Sequence, residues 1–205
     1  MSYYEKRILP KLINFACGLG PMMKQRAKVV PLAKGNVLEV GIGSGLNLGY
    51  YEKDKVKNLI GIDPSKETWA LNEAVTDKLG FDFQYIQTGA ESIPIDNQSI
   101  DTVVITYTLC TIPSTVEALQ EIKRVLKPTG QILFVEHGKA PDASVLKWQN
   151  RINPLWKRIG GGCNLNRDIP EIFTENGFKM NDLQTMYLPG WKPASFNYWG
   201  VVKPN

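Results

Sequence analysis

The chain has 205 residues, of which 43% are hydrophobic and 21% charged, and this composition suits one globular domain with a single core. It excludes a disordered, collagen-like or coiled-coil chain. The net charge of +4 is mild, and the sequence contains no block of Lys and Arg typical of nucleic-acid binding. We therefore expect no nucleic-acid partner.

Cysteine usage and the N-terminal residues predict the compartment. Cys17, Cys110 and Cys163 are odd in number, widely spaced and form no CxxC pair, which argues against a disulfide framework and against a zinc site. The first residues lack the basic-then-apolar order of a signal peptide, and no apolar run approaches the ~18 residues of a membrane span. We expect a cytoplasmic protein.

The first thirty residues precede the first predicted strand and carry an apolar stripe. The stripe consists of Ile8, Leu9, Leu12, Ile13, Phe15 and Ala16. Lys6, Arg7 and Lys11 lie elsewhere on the same segment. This pattern predicts a helix over residues 3–30 that packs on the domain, either as a plain cover, as a lid over the substrate or as a surface that contacts a membrane.

Runs rich in Val and Ile alternate with helical patterns through the middle of the chain. Buried parallel strands are predicted at residues 36–41, 58–63, 101–107 and 131–136, and a strand near a sheet edge at 82–87. Helices are predicted at 65–79, with Ser65 as N-cap, and at 114–127, where Ser114 and Glu117 form a capping box. This order predicts an α/β fold with a doubly wound parallel sheet.

The last third of the chain differs in composition. We predict an aromatic, basic helix at 144–160 that is interrupted at Pro154, a short helix at 168–176, and an antiparallel pair of late strands at 178–187 and 196–203. The whole chain is predicted to form one domain. Its parts are a helical lid over 1–30, a cofactor-binding core over 36–137 and an acceptor side over 138–205.

A glycine-rich turn follows the first predicted strand, in the stretch Val37-Leu38-Glu39-Val40-Gly41-Ile42-Gly43-Ser44-Gly45. Glycines there permit a tight turn and close approach of a ligand to the backbone. Asp63 ends the second strand, where a carboxylate can accept hydrogen bonds from both hydroxyl groups of a ribose. The pattern predicts a nucleotide-type ligand at the carboxyl ends of the strands, as in NAD and S-adenosylmethionine sites.

Three details favour S-adenosylmethionine, with NAD as the minor alternative. Leu46 occupies the position where the NAD fingerprint has its last glycine. Glu39 would repel a pyrophosphate but would suit the amino group of a methionine moiety. Glu91, which follows the third strand, can accept a hydrogen bond from the adenine amino group.

With these motifs the chain resembles the class I S-adenosylmethionine-dependent methyltransferases of the type 11 group. Gly61-Ile62-Asp63-Pro64-Ser65, Ala90-Glu91-Ser92-Ile93-Pro94 and residues 99–104 and 124–133 also match, in the order of that family. The resemblance implies a Rossmann-like sheet of about seven strands with an antiparallel last strand, and a cofactor used without a metal. It implies cofactor contacts from Glu39, Gly41, Gly43, Gly45, Asn47, Asp63, Pro64, Ala90, Glu91 and Thr106.

The residues after the fourth strand, Thr106-Tyr107-Thr108-Leu109-Cys110, face the transferred methyl group in this family. They lack the Asp/Asn-Pro-Pro-Tyr/Phe motif of enzymes that methylate base or amide nitrogens, which argues against nucleic-acid and glutamine acceptors. A closer resemblance to the alkyl-thiol S-methyltransferases rests on Thr108-Leu109-Cys110, Glu136-His137, Trp148-Gln149, Pro154-Leu155-Trp156-Lys157 and residues 160–167. It implies a small, apolar acceptor, with a thiol favoured. Acceptor contacts are expected from Tyr107, Leu109, Trp148 and Trp156, although both tryptophans suit core positions equally.

His137, the only histidine, ends the fifth predicted strand. A histidine pKa of about 6.5 suits a base that removes the proton of a thiol, whose own pKa is about 8.5. His137 is therefore predicted to be the catalytic base, or else a wall of the site, and Cys110 and Cys163 are predicted to be buried and inert rather than a thiol relay. Two other functions remain open, a phosphatidylethanolamine N-methyltransferase and a non-catalytic protein that binds S-adenosylmethionine.

Overall fold

The computed structural model describes residues 3–71 and 79–205, which contain a sheet of seven strands in the order β3-β2-β1-β4-β5-β7-β6. The strands are β1 (Gly35–Val40), β2 (Val56–Ile62), β3 (Asp82–Ile86), β4 (Ile100–Thr106), β5 (Leu126–His137), β6 (Phe178–Tyr187) and β7 (Phe196–Pro204). The first five run parallel, and β7 pairs antiparallel with both β5 and β6. The predicted doubly wound sheet with an antiparallel C-terminal strand is confirmed, and β3 lies at an edge as expected.

Helices flank the sheet. They are α1 (Leu9–Cys17), α2 (Gly20–Val29), α3 (Lys66–Trp69), α4 (Thr115–Val125), α5 (Ala143–Ile159), α6 (Ile169–Glu175) and α7 (Lys192–Ser195). A π-helical turn at Tyr4–Ile8 leads into α1, and 3-10 turns lie at Val30–Leu32 and Leu48–Tyr50. Among the described residues, no helix has both the length and the apolar character that crossing a bilayer requires.

The Val- and Ile-rich runs are continuous because both faces of the sheet are buried. Neighbouring residues of one strand point to opposite faces, so that Leu38 lies in one core cluster and Val37 in the other. The first cluster also takes Ile122 of α4, and the second takes Val29 of α2. Since the central strands β1, β4 and β5 are covered on both faces, their apolar runs show no alternation.

Several predicted boundaries are wrong. The segment 3–30 is broken at Gly18-Leu19 into two helices, and Pro21 stands in the first turn of α2, where a proline costs no backbone hydrogen bond. The chain becomes extended at Leu126 rather than at 131, because a residue before proline, here Lys127, avoids the helical conformation. Pro154 does not interrupt α5, since a proline inside a helix can be tolerated at the loss of its own hydrogen bond.

The two predicted helix starts behave differently. Ser65 caps α3, since its hydroxyl oxygen accepts a hydrogen bond from the Thr68 N–H at 3.2 Å. The predicted capping box at Ser114 is wrong, because the Ser114 side chain makes no capping hydrogen bond to α4. Residues 72–78 of the predicted helix at 65–79 lie outside the described residues. The division into lid, core and acceptor side stays a prediction.

Candidate active site

A cavity of about 780 Å³ opens at the carboxyl ends of β1, β2 and β4, where the strand order reverses between β1 and β4. Its size is that of a small-molecule site. The floor comes from the glycine turn after β1 and from residues that follow β2, β3 and β4. The opposite wall comes from α1, through Leu9, Pro10 and Ile13. The predicted cofactor loop and the predicted lid therefore enclose one space.

The glycine turn has a conformation that only glycine adopts without strain. Gly41, Gly43 and Gly45 have φ of +72°, +55° and +75°. A Cβ on Gly41 would stand 2.3 Å from the Thr108 side chain, and one on Gly45 would stand 2.7 Å from Leu48. Gly41 and Gly43 line the cavity, whereas Gly45 lies outside the lining and is required for packing.

Asp63 lies at the cavity directly after β2. Its Oδ2 accepts a hydrogen bond from the Gly43 N–H at 3.0 Å, and its Oδ1 accepts one from the Ser65 N–H at 2.8 Å. Burial raises the pKa of Asp63 above its usual range, and the two N–H donors oppose that rise. Each carboxylate oxygen keeps a lone pair for a ligand. Pro64 lines the cavity beside it.

The other predicted cofactor residues are divided between the cavity and the structure beneath it. Ala90, Glu91 and Thr106 line the cavity. Glu39 and Asn47 do not, because both are buried under the glycine turn. The Glu39 carboxylate accepts hydrogen bonds from Asn47 Nδ2 at 2.9 Å and from the Tyr51 hydroxyl at 2.7 Å. Burial raises the pKa of Glu39 to about 7.

Arg26 of α2 lines the cavity, and nothing in the sequence distinguishes it from Lys24 and Lys28 nearby. Its Nη1 donates hydrogen bonds to Asn47 Oδ1 at 2.9 Å and to Thr106 Oγ1 at 2.5 Å. Its Nε is buried and has no hydrogen-bond partner among the described residues. The guanidinium group lies 5.2 Å from the ring centre of Tyr107. The cavity thus holds a buried cation that the sequence did not reveal.

Of the four predicted acceptor residues, Tyr107 alone lines the cavity. It has a φ of +54°, a strained value for a non-glycine residue, and its hydroxyl donates a hydrogen bond to Asn197 Oδ1 at 2.8 Å. Leu109 is fully buried behind the loop after β4. Trp148 is 57% exposed and lies near Arg151, and Trp156 packs on Trp191.

His137 ends β5 below the cavity and is not among the residues that line it. Its Nε2 lies 3.2 Å from Cys163 Sγ, and its Nδ1 has no hydrogen-bond partner among the described residues. The hydrogen bond of Cys163 with Cys110 and its burial both raise the pKa of the Cys163 thiol. The role of His137 as a base stays a prediction.

Two side chains hold the loop after β4 in place. The carboxylate of Glu136 accepts hydrogen bonds from the backbone N–H groups of Thr108 at 2.6 Å and Leu109 at 2.8 Å. Arg167 donates hydrogen bonds to the carbonyl oxygens of Leu109 and Ile112, the latter at 2.8 Å. Arg167 therefore acts as a structural clamp on this loop.

Comparison with known proteins places this fold in a family. A family model described as a methyltransferase domain matches residues 38–134. Thiol S-methyltransferase TMT1B of Rattus norvegicus is 31% identical over 171 residues, which cover 82% of this chain and 67% of that protein. The chain belongs to the S-adenosylmethionine-dependent methyltransferases. This methyltransferase is also 29% identical over 178 residues to human thiol S-methyltransferase TMT1A, covering 85% of this chain and 70% of that one. The crystal structure of YcgJ from Bacillus subtilis superimposes with a TM-score of 0.62 at 25% identity, covering 83% and 73% of the two chains.

The cavity of this methyltransferase fits the cofactor of its family. Gly43 has no side chain that would occupy the cavity. A Cβ at this position would have the Thr68 side chain, 3.7 Å away, as its nearest neighbour beyond the adjacent residues. Asp63 has free lone pairs for a ribose diol, and Arg26, which lines the same cavity, brings a positive charge that suits a carboxylate. Asp63, the backbone at Gly43 and Arg26 therefore suit a nucleoside that carries an amino acid, such as S-adenosylmethionine.

Proposed function

We propose that this methyltransferase transfers a methyl group to the sulfur of a small, apolar thiol. The observation that carries the proposal is the apolar wall of α1, where Leu9, Pro10 and Ile13 face the cofactor side of the same cavity. Ile112 and Pro113 extend this apolar lining. The names of the two thiol S-methyltransferases that match over most of the chain support the choice of a thiol.

Each cofactor role in the proposal falls to a residue beside the cavity. S-adenosylmethionine, when bound, supplies an electrophilic methyl group on a sulfonium. Asp63 accepts the ribose hydroxyls, Glu91 accepts from the adenine amino group, and Arg26 pairs with the carboxylate of the methionine moiety. Gly41 and Gly43 let the backbone approach the ligand, and Glu39 with Asn47 supports Arg26 from below. Holding the two reactants in line at close distance supplies much of the rate enhancement.

The proposal is tested by methylation of an acceptor panel. Short alkyl thiols, phosphatidylethanolamine vesicles and a no-acceptor control are each incubated with the cofactor, and S-adenosylhomocysteine and the methylated product are quantified. We expect thioether formation in equal amount to S-adenosylhomocysteine. The Asp63→Asn variant should bind the cofactor about 10- to 100-fold more weakly by calorimetry, the scale of a charged hydrogen bond. Asp182→Asn, on the exposed edge strand β6, is the matched control.

Two results would replace the proposal. Product that requires vesicles, with no thioether, would identify a phospholipid N-methyltransferase. Cofactor binding without any S-adenosylhomocysteine across the panel would identify a non-catalytic binding protein.

We also propose a cytoplasmic location and peripheral contact with membranes. Cys17, Cys110 and Cys163 are all free, in keeping with a reducing compartment. The outer face of the N-terminal helical segment exposes Leu12 and Phe15, which line the same surface depression as Arg7 and Lys11. Apolar side chains flanked by basic ones favour an anionic lipid surface.

A further inference from the structure

Three side chains that the proposed cofactor contacts do not involve meet beneath the cavity. Cys110 lies in the loop after β4, His137 is the last residue of β5, and Cys163 lies in the turn after α5. The two Sγ atoms and a ring nitrogen of His137 all lie within 4.8 Å of one another. Cys110 and His137 are buried, and Cys163 is half-buried. The group contains the two side-chain types that bind thiophilic metal ions most readily.

The distances within this cluster suit tetrahedral coordination. The two Sγ atoms are 3.8 Å apart, which is the separation expected for two sulfurs on one tetrahedral zinc with bonds of ~2.3 Å. The same separation is far longer than the ~2.05 Å of a disulfide bond. His137 Nε2 is 3.2 Å from Cys163 Sγ, within a few tenths of an ångström of the nitrogen–sulfur separation on a tetrahedral zinc.

The surroundings of the two sulfurs supply hydrogen bonds to them. Trp156 Nε1, which can only donate, points at Cys163 Sγ from 3.3 Å. Thr111 Oγ1 lies 3.4 Å from Cys110 Sγ. Donors of this kind support thiolate ligands of a metal.

We propose that Cys110, His137 and Cys163 form a binding site for one zinc ion. The two thiols lose their protons to solvent on binding, so that two thiolates and one neutral imidazole hold the divalent ion. Among the described residues no fourth His, Cys, Asp or Glu joins the group. Three protein ligands leave the fourth position to water or to another small ligand, the arrangement of catalytic rather than structural zinc.

The site would join three separate elements next to the cavity. Thr111 and Gly162, the neighbours of Cys110 and Cys163 in the chain, line the cavity. Asn164 already links the same two segments, because its Nδ2 donates to the carbonyl oxygen of Cys110 at 3.0 Å. A bound ion would hold this wall together, and His137 would then not be available as a base at Nε2.

Metal binding by the full chain tests the proposal. The protein is freed of metal with a chelator under reducing conditions and titrated with zinc, and cobalt(II) serves as the spectroscopic probe. We expect one zinc retained per chain after gel filtration. The cobalt form should show thiolate-to-metal charge transfer and the intense d–d bands of a tetrahedral site.

Substitutions assign the ligands. Cys110→Ser, Cys163→Ser and His137→Gln should each weaken zinc binding by at least the roughly 10- to 100-fold that loss of a supporting partner costs. Cys17→Ser, which removes the cysteine outside the cluster, should retain the zinc. Circular dichroism and cofactor binding show whether each variant is folded. If a variant does not fold, the cobalt spectrum of the unsubstituted protein tests the proposal in its place.

Three outcomes would overturn the proposal. They are the absence of retained zinc in the unsubstituted protein, a cobalt spectrum of octahedral oxygen ligation, and zinc binding that survives in the Cys110→Ser and Cys163→Ser variants. Methyl transfer is scored separately, so failure of this proposal leaves the proposed function standing.

Discussion

Glu39 and Arg26 are buried residues of opposite charge that are connected through Asn47 instead of by a direct ion pair. Glu39 accepts from Asn47 Nδ2, and Asn47 Oδ1 accepts from Arg26. The predicted contact of Glu39 with the cofactor stays a prediction, but its position makes it a support for Arg26. The cation that lines the cavity, Arg26, comes from a helix whose contacts no local sequence pattern indicates.

Replacing Glu39 with Gln should change the pH dependence of stability. The pKa of Glu39 rises from 4.5 to about 7 on folding because burial disfavours the carboxylate. Between these values the unfolded chain has lost the proton and the folded one has kept it, so the stability of the unsubstituted protein falls as pH rises, by about 3 kcal/mol in total. Glu39→Gln should lack this loss.

Urea unfolding between pH 4.5 and 8 measures the difference. Below pH 4.5 the Glu39 carboxyl is protonated in both the folded and the unfolded chain, so it adds no pH dependence to the stability. Above about pH 7 it is ionised in both, and the loss of stability is complete. Glu52→Gln, at an exposed ion pair with Lys55, should follow the unsubstituted protein. Parallel stability curves for Glu39→Gln and the unsubstituted chain would contradict the prediction.

The turn after β1 shows how an element is determined by its backbone. Gly41 N–H donates to the Ile62 carbonyl oxygen at 2.8 Å, which brings the ends of β1 and β2 together. Such a turn can be predicted from the sequence because only glycine adopts its conformation without strain. The unbroken α5 could not be predicted from its sequence, because the local preference of Pro154 for ending a helix is overridden in the folded chain. The early start of β5 does follow a local preference, since Lys127 precedes Pro128 and avoids the helical conformation.

Gly41→Ala should destabilise the protein by about 1 to 3 kcal/mol, the cost of a strained backbone residue. The φ of +72° disfavours alanine, and the new Cβ would stand 2.3 Å from the Thr108 side chain. Gly49→Ala is the matched control, since a Cβ at this position would have no atom within 4 Å apart from the adjacent residues. Thermal unfolding of both variants, with cofactor titration, measures the effect. Equal melting temperatures for the two variants would count against it.

At the scale of the whole molecule, the N-terminal helical segment lines one side of the cavity and is held by contacts at both of its ends. The Tyr4 hydroxyl donates to the Ile159 carbonyl oxygen at 2.5 Å, at the end of α5. Ser44 of the glycine turn donates to Asn14 Oδ1 at 2.5 Å. The inner face of the segment therefore contacts the site, while its outer face exposes Phe15 at 69%.

The double variant Leu12→Ser, Phe15→Ser should bind anionic vesicles on the order of 100-fold more weakly, because each apolar side chain contributes on the order of 1.5 kcal/mol when it enters the lipid interface. Vesicle sedimentation at low salt measures the affinity, and the free energy of unfolding should change little because both side chains are about half or more exposed. Leu183→Ser, another exposed leucine, is the control on β6. If the unsubstituted protein does not sediment with vesicles, membrane contact is disproved.

Local properties of the chain sufficed for the fold class, for the existence of the first five strands and for the cofactor class. A buried strand needs a Val- and Ile-rich run, and a tight ligand-binding turn needs glycines, so both requirements act on consecutive residues. The composition of the cavity wall and the cluster of Cys110, His137 and Cys163 were decided by the tertiary structure. In the cluster, Cys163 contacts His137, which is 26 positions away in the chain, and Cys110, which is 53 positions away. The spacing of these residues in the chain does not predict the cluster, because the packing of helices and loops on the sheet brings their side chains together.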